Sequence, residues 1–335
     1  MLRLHTLGVV AGTAALVLTA ACQGSDSSAD ESAADGDTHS VSGVLGGTVD
    51  YVPDDPQRVV SLWTTSTQLL DLGIEPVGIL DGDIIEERVT PDQWETLKDK
   101  PTVGTFDDVD IEKVAALKPD LVVGLTHGFM TEKDIEPFKE LGIPTLIWEV
   151  AEPPDVWANY PEFADALGKS TDFDKRDAAL HDELDALNDE VGEQFADTEW
   201  ASVRGSGGDT TQFIVDTDQS LAYERIHDAG ADFPGFVKNL GEDARYALEL
   251  SYERMPDLSD AFAIFYEAGP DGKPGEATKP LVDQDVWKQL PAVKAGNAYP
   301  LSQTFNYTFA GQEQMVADIR SAFEQASSNG VGTSK

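Results

Sequence analysis

Several aromatic and polar residues follow directly on short apolar runs, at points where the chain would leave a sheet. Trp63 follows the run 59–62, and His127 lies just beyond the run 121–124. Ligands bind outside the carboxyl ends of parallel strands, aromatic rings suit flat or greasy ligands, and arginine pairs with carboxylates or with oxygens around a chelated metal. The residues predicted on this ground to bind ligand are Trp63, Thr64, Thr65, Thr105, Phe106, Thr126, His127, Trp148, Arg204, Gln212, Tyr223, Tyr266, Asn306 and Tyr307.

Motifs for covalent and metal chemistry are missing from the sequence. It contains no H-E-x-x-H pair, no Walker A lysine loop, no G-x-S-x-G elbow and no recognisable nucleophile with its base. Zinc and manganese sites usually need several His or Cys ligands, and His127 is the one histidine at a predicted ligand-binding loop. We therefore expect no catalytic residue, no metal site and no cofactor, and an extracellular hydrolase is a distant alternative.

Short apolar runs alternate with helical patterns from Arg58 onward, which predicts an α/β fold with parallel sheets and crossover helices. Residues 175–196 differ, because Leu180, Leu184, Leu187, Val191 and Phe195 form one apolar stripe on a long polar helix. We predict two lobes joined by this long helix. The predicted boundaries are 46–160 for the N-terminal lobe, 161–198 for the interlobe helix region, 199–326 for the C-terminal lobe and 327–335 for a frayed tail.

The N-terminus predicts export and membrane attachment. Residues 1–21 combine Arg3 with an apolar stretch, as in a signal peptide. Cys22 follows Ala20 and Ala21, which resembles the lipobox of bacterial lipoproteins, so lipidation of Cys22 is expected. Residues 22–45 are rich in acidic and small residues and predict a disordered tether. The mature protein would then be lipid-anchored on the extracytoplasmic face of the cell membrane.

The net charge excludes one class of partner. The chain has 62 acidic and 23 basic residues, a formal charge of −39. A nucleic-acid backbone binds clustered lysines and arginines, and the sequence has no such cluster. Nucleic acid is therefore not an expected partner, and the acidity suits an exported, soluble surface.

Four stretches carry a family resemblance. They are the segment 58–78, with L-G-I-E-P-V-G at its end; the segment 103–122, with D-I-E-K-V-A-A-L-K-P-D-L-V; the segment 250–253; and the run 286–296. Together they make residues 50–326 resemble the class III substrate-binding proteins, lipoproteins that feed ferric siderophores, vitamin B12 or haem to ABC importers.

The resemblance implies a monomer with two lobes around a rigid interlobe helix and a ligand cleft between them. It also implies docking on a permease dimer and its ATPase through one glutamate on each lobe. Glu112 and Glu253 match those positions, and each lies in an apolar-acid-base-apolar tetrad.

The ligand expected from the resemblance is a ferric siderophore, so iron would enter only within a bound chelate. The scarcity of basic residues favours a hydroxamate-type or mixed chelate, because a strongly anionic catecholate would need a basic cleft. Haem, bound through His127 or a tyrosine, and vitamin B12 are alternatives. The loop 267–280 either shapes the rim of the pocket or is a neutral surface insertion.

Overall fold

The structure, a computed structural model, describes residues 37–207, 211–238 and 245–329. The predicted signal peptide 1–21, the predicted lipidation site Cys22 and most of the predicted tether lie outside the described residues.

A two-stranded antiparallel hairpin opens the described chain. It consists of β1 (Thr38–Val44) and β2 (Gly47–Pro53). The sequence predicted a disordered tether over residues 22–45, and this prediction is wrong for residues 38–44, which form β1. Val41, Val44 and Val52 are buried, and this burial explains why the polar-looking segment is ordered.

A parallel sheet of three strands forms the centre of the N-terminal half. Its strands are β3 (Val59–Ser61), β4 (Leu121–Thr126) and β5 (Thr145–Glu149), in the order β3-β4-β5. Single parallel bridges at Gly78 and Thr102 extend it. The helices of this half are α1 (Thr65–Asp71), a 3-10 turn (Glu86–Arg88), α2 (Pro91–Leu97), α3 (Ile111–Ala116) and α4 (Glu132–Glu140).

Helices join the two halves. They are α5 (Asp155–Ala158), α6 (Tyr160–Ala166), α7 (Ser170–Leu187), a π-helical turn (Asn188–Gly192) and α8 (Glu193–Phe195). The sequence predicted one regular helix over 175–196. The π turn shifts its apolar stripe by one residue, so Gly192 is buried and Val191 only half-buried. A Cβ atom on Gly230 would clash with the Cα of Gly192, and one on Gly192 would clash with the Asn188 side chain.

A mixed sheet of five strands forms the C-terminal half. Its strands are β6 (Trp200–Gly205), β7 (Gln212–Asp216), β8 (Ala247–Ser251), β9 (Ala263–Glu267) and β10 (Ala298–Leu301), in the order β10-β9-β6-β7-β8. Strands β10, β9 and β6 are parallel, whereas β7 and β8 run antiparallel to their neighbours. The prediction of a parallel sheet is wrong for these two strands, because the short connection between β6 and β7 cannot hold a crossover.

The helices of the C-terminal half complete the fold. They are α9 (Leu221–Asp228), 3-10 turns (Gly235–Val237 and Tyr252–Leu258), α10 (Lys279–Val282), α11 (Asp285–Gln289), α12 (Pro291–Lys294) and α13 (Phe309–Ser328). Helix α13 includes residues 327 and 328, which the sequence assigned to a frayed tail.

One continuous hydrophobic cluster runs through both halves. It includes Val59 and Trp148 from the first sheet, and Trp200 and Phe323 from the second half. A smaller cluster on the other face of the first sheet contains Val60, Val122 and Ile147. The described residues from 37 onward accordingly form a single compact unit, with a cavity between the two sheets.

Candidate functional site

A cavity of about 310 Å³ lies between the two sheets, where the loops after their strands meet. Such crevices at strand ends are the usual binding sites of α/β proteins. Its lining residues are Trp63, Thr64, Thr67, Gly82, Asp83, Ile85, Arg88, Val89, Phe106, Pro153, Val156, Phe305, Asn306 and Tyr307.

An aromatic cluster forms the wall on the N-terminal side. The Trp63 ring lies 5.3 Å from Phe129, 5.6 Å from His127 and 6.5 Å from Phe106, measured between centroids. Phe129 and His127 are exposed, and Trp63 is half-buried. Edge and tilted contacts of this kind keep the rings in place while one face remains open to a ligand.

The residue after Trp63 has an uncommon backbone conformation. Thr64 adopts φ 65° and ψ −12°, in the left-handed region, just before α1 begins. Its backbone N–H donates a hydrogen bond of 2.6 Å to Oδ1 of Asp83. Burial raises the pKa of the Asp83 carboxyl, while the nearby Ser66 hydroxyl and the Thr64 N–H act in the opposite direction.

The wall on the C-terminal side comes from the segment between β10 and α13. The side-chain amide of Asn306 donates 2.7 Å hydrogen bonds to Gln93 of α2 and to Gln303. Gln93 in turn donates to Thr308, and all four of these side chains are buried. Gln68 of α1 donates to the Tyr307 carbonyl. This polar network fixes the segment against the N-terminal half.

Two arginines contact the same aromatic ring in this wall. The guanidinium carbons of Arg88 and Arg204 each lie 4.9 Å from the centroid of the Phe305 ring. Arg88 is 45% exposed and lies 3.7 Å from Glu267. Arg204 is buried and pairs directly with Asp216. Burial lowers the pKa of Arg204, but the Asp216 carboxylate outweighs this effect, so its pKa is raised and its charge is already neutralised.

Five of the residues predicted from the sequence line this cavity. They are Trp63, Thr64, Phe106, Asn306 and Tyr307.

Two more predicted residues lie next to the cavity. His127 touches Trp63 from outside, and Arg204 lies behind Phe305 and Tyr307 in a small recess.

Three predicted residues are buried within the N-terminal half, and their placement at the binding site was wrong. Trp148 lies in β5 and packs on Phe163 in the core. Thr126 is the last residue of β4, and its hydroxyl accepts a hydrogen bond from the Met130 N–H. The Thr65 hydroxyl donates to the Leu62 carbonyl. Strands β4 and β5 extend further than predicted, so Thr126 and Trp148 precede the point where the chain turns toward the cavity. Thr65 is the first residue of α1, and its side chain is buried.

The other four predicted residues also lie outside the cavity lining. Tyr223 stacks on His227 in α9, and Tyr266 packs edge-on against Trp287. Thr105 is exposed, and Gln212 pairs with β8 at the start of β7. The two tyrosines thus pack on residues of their own half.

The segment 82–89 supplies Gly82, Asp83, Ile85, Arg88 and Val89 to the lining, and none of these was among the predicted site residues. The run 77–80 before it is a strand candidate in the sequence and forms isolated bridges in the structure, but no residue after it was assigned to the site. The available signal was Arg88, an arginine with apolar neighbours on both sides within three residues.

A second cavity, of about 520 Å³, lies beside the first. Its walls are α2 with the preceding 3-10 turn on one side and the loop 267–280 on the other. Glu87 accepts a hydrogen bond from the Glu276 N–H across this gap. The loop thus borders this second cavity and does not line the first, which carries the aromatic wall and the arginines.

The described residues contain no group of three or more His, Cys, Asp or Glu side chains arranged to hold a metal ion. Within the same ranges, no helix combines the length and the apolar character needed to cross a membrane.

Glu112 and Glu253 occupy similar positions in the two halves. Glu112 lies in the first turn of α3, which leads into β4, and Glu253 lies in the first turn of the 3-10 turn that leads toward β9. Both side chains are exposed, and neither forms an ion pair with a described residue. Each is therefore accessible to a partner.

Comparison with known proteins agrees with this architecture. The sequence profile of the periplasmic binding protein family matches residues 59–304. A Bacillus subtilis protein named a probable siderophore-binding lipoprotein is 28% identical over 316 residues, which cover 89% of this chain and 90% of that protein.

Two solved structures have the same fold. One is the siderophore periplasmic binding protein from the fuscachelin gene cluster of Thermobifida fusca, with 27% identity, a TM-score of 0.71 and coverage of 82% of this chain and 98% of that one. The other is a siderophore-binding protein of Vibrio cholerae with bound Fe³⁺-Desferal, with 19% identity, a TM-score of 0.63 and coverage of 81% and 98%. The profile match covers most of the chain, so the chain belongs to the periplasmic binding protein family, as a class III binding protein and not an enzyme.

Proposed function

We propose that this chain captures a ferric siderophore outside the cytoplasm and delivers it to the permease of an ABC importer. The observation that carries the proposal is the cavity between the two sheets, with the Trp63 cluster on one wall and the Phe305 and Arg88 pair on the other. An apolar aromatic site with few polar groups suits a compact organic chelate. The names of the Bacillus subtilis and Thermobifida fusca relatives support the same ligand class.

The charges around the cavity favour a hydroxamate-type or mixed chelate. Asp216 neutralises Arg204, which leaves Arg88 as the accessible cation of the described lining. A tricatecholate of ferric iron is strongly anionic, and a single partly paired arginine cannot balance it. A ferric trihydroxamate is close to neutral at its iron centre and needs no such compensation.

Haem is a weaker candidate for this cavity. Tyrosine binds haem iron as the deprotonated phenolate, and burial raises the pKa of Tyr307 far above its usual value. Burial therefore disfavours the phenolate form of Tyr307, and a bound iron would have to offset this penalty.

A titration with defined ligands tests the proposed function. Ferrioxamine B, ferrichrome, a ferric tricatecholate, haemin and cyanocobalamin are each added to the protein while heat and tryptophan emission are recorded. We expect sub-micromolar binding of at least one ferric hydroxamate and binding at least a hundredfold weaker for the tricatecholate. Preference for haemin or cyanocobalamin would assign another ligand, and binding of none would refute the proposal.

We further propose that Glu112 and Glu253 dock on the permease. Two exposed carboxylates, one on each half, can pair with arginines of a dimeric partner and set its orientation. The Glu112→Ala/Glu253→Ala variant should bind the chelate normally and lose uptake in cells. Glu132→Ala/Glu249→Ala is the matched control, because both of these glutamates are exposed and the charge change is the same. Equal uptake by the two double variants would exclude this docking role.

Membrane attachment through Cys22 is the remaining part of the proposal. Labelled palmitate should be incorporated into the wild-type protein in cells and not into Cys22→Ala. Release of Cys22→Ala into the medium, with unchanged ligand affinity, would agree with an anchor that has no role in binding.

A further inference from the structure

The wall that carries Trp63 depends on a strained residue. Thr64 is β-branched and adopts the left-handed region, at φ 65°. In this region the Cβ atom and its substituents crowd the adjacent backbone. Such a conformation persists only where neighbouring contacts hold it, and it often marks a binding site. Thr64 is the next residue after Trp63, and both line the cavity.

Asp83 supplies the contact that holds Thr64. Its Oδ1 accepts the 2.6 Å hydrogen bond from the Thr64 N–H across 19 positions of sequence. Its Oδ2 is buried and has no hydrogen-bond partner among the described residues. A buried carboxylate is costly, and the nearby Ser66 hydroxyl offsets only part of that cost. The hydrogen bond from the Thr64 N–H is the backbone contact that the structure gives this carboxylate.

The direction of the Trp63 side chain follows from this contact. The backbone turns sharply at Thr64 between β3 and α1, and this turn fixes where the Cα–Cβ bond of Trp63 points. The indole then meets Phe106, His127 and Phe129 in the cluster described above. Without the Asp83 acceptor, Thr64 would relax toward the ordinary region and Trp63 would leave this position.

We propose that Asp83 is a positioning residue for ligand binding, which holds Thr64 in the left-handed conformation and thereby orients Trp63 on the wall of the cavity. The effect on affinity rests on the proposed function, whereas the effect on Trp63 does not.

Affinity measurements on two variants test the role of the acceptor. Asp83→Ala removes the acceptor, and Asp83→Asn keeps an oxygen that can accept from the Thr64 N–H. With ferrioxamine B and ferrichrome as probes, we expect Asp83→Ala to weaken binding at least tenfold and Asp83→Asn to stay within threefold of the wild type. Unchanged affinity in Asp83→Ala would overturn the proposal.

Relief of the strain gives a second, independent test. Glycine adopts the left-handed conformation without a steric penalty, so Asp83→Ala/Thr64→Gly should recover most of the lost affinity and should fold even if Asp83→Ala does not. Lys118 also has a positive φ, of 50°, and lies outside the cavity lining. Asp83→Ala/Lys118→Gly is therefore the matched control and should not recover affinity. Equal recovery in both double variants, or in neither, would count against the proposal.

A ligand-free measurement separates this inference from the proposed function. The His127 ring lies 5.6 Å from the Trp63 ring, so the indole ring current should shift the imidazole proton resonances of His127. Trp63→Ala defines the unshifted position. We expect Asp83→Ala to move these resonances to that position and Asp83→Asn to leave them shifted. If no chelate binds the wild-type protein, the proposed function fails, and the His127 resonances still decide the role of Asp83; no movement in Asp83→Ala would refute it.

Discussion

The carboxylate of Asp71, at the end of α1, accepts a 2.7 Å hydrogen bond from the backbone N–H of Phe309, the first residue of α13. The N–H of Ala310 also donates to it, at 3.3 Å. A residue of the N-terminal half thus satisfies the free donors at the start of the last helix. Arg176 of the joining helix α7 pairs with the same carboxylate at 2.6 Å, and the Tyr160 hydroxyl donates to it at 2.9 Å.

Removal of the Asp71 carboxylate should destabilise the protein strongly. Its side chain is only 2% exposed, and Asp71→Ala would remove the carboxylate that accepts from Arg176, from the Tyr160 hydroxyl and from the two N–H groups at the start of α13. We expect the free energy of unfolding in urea to fall by about 3 kcal/mol or more. Glu313→Ala is the control, because Glu313 pairs with the same Arg176 but is 52% exposed; it should cost less than about 1 kcal/mol. Similar losses in both variants would contradict this account.

Trp63→Ala should weaken chelate binding at least tenfold, which corresponds to about 1.4 kcal/mol, because it removes the central ring of the aromatic wall. The urea midpoint should change little, since Trp63 is only half-buried. Trp148→Phe is the matched control among the tryptophans. Trp148 is buried in the core, so this variant should lower the free energy of unfolding and leave the chelate affinity measured by calorimetry unchanged. If Trp148→Phe weakened binding and Trp63→Ala did not, the binding site would lie elsewhere.

Arg204→Ala should lower stability by roughly 3 kcal/mol, because it leaves the buried Asp216 carboxylate without its cation. Within the part of the chain that the structure describes, the Ser202 hydroxyl, at 2.6 Å, would remain as a side-chain donor to Asp216. Arg88→Ala provides the comparison, since Arg88 is largely accessible and should cost less than about 1 kcal/mol. Chelate affinity measured on both variants, under conditions where both are folded, should fall more in Arg88→Ala. A larger fall in Arg204→Ala would point to direct ligand contact by Arg204.

The stability effect of Asp83 should depend on pH with a definite sign. Burial raises the pKa of its carboxyl in the folded state above the ordinary value of 3.8. The folded state therefore disfavours the ionised form, and stability is lost as the pH rises through the folded-state pKa. Asp83→Asn escapes this loss, so its free energy of unfolding relative to the wild type should be greater at pH 7 than at pH 4. Urea titrations at both values check this, and the opposite trend would mean that hydrogen bonds to the carboxylate outweigh its burial.

The alternation of apolar runs and helical patterns was sufficient to predict the α/β fold and the order of most elements. The same reading placed Trp63, Phe106 and Tyr307 at the cavity, because each follows a strand or bridge that ends at the same edge. Tryptophan was harder to place, because it suits both a core and a binding site. Trp148 lies one residue before the end of β5, and its position within the strand puts it in the core and not at the cavity.

Three features had no local sequence signal. Asp83 lies in a loop whose position depends on a distant partner, Thr64. The antiparallel direction of β7 follows from a connection length and not from the pattern of the strand itself. The π turn at Asn188–Gly192 places Gly192 next to Gly230. The periodicity within one helix cannot reveal a contact with a distant residue.

The continuous hydrophobic cluster has a consequence for how this protein unfolds. Because Val59, Trp148, Trp200 and Phe323 belong to one cluster, neither half can lose its packing without exposing apolar surface of the other. We therefore expect the two halves to unfold together, and a van't Hoff enthalpy equal to the calorimetric one would confirm this. A protease that attacks the globally unfolded form would then release no stable half as a fragment.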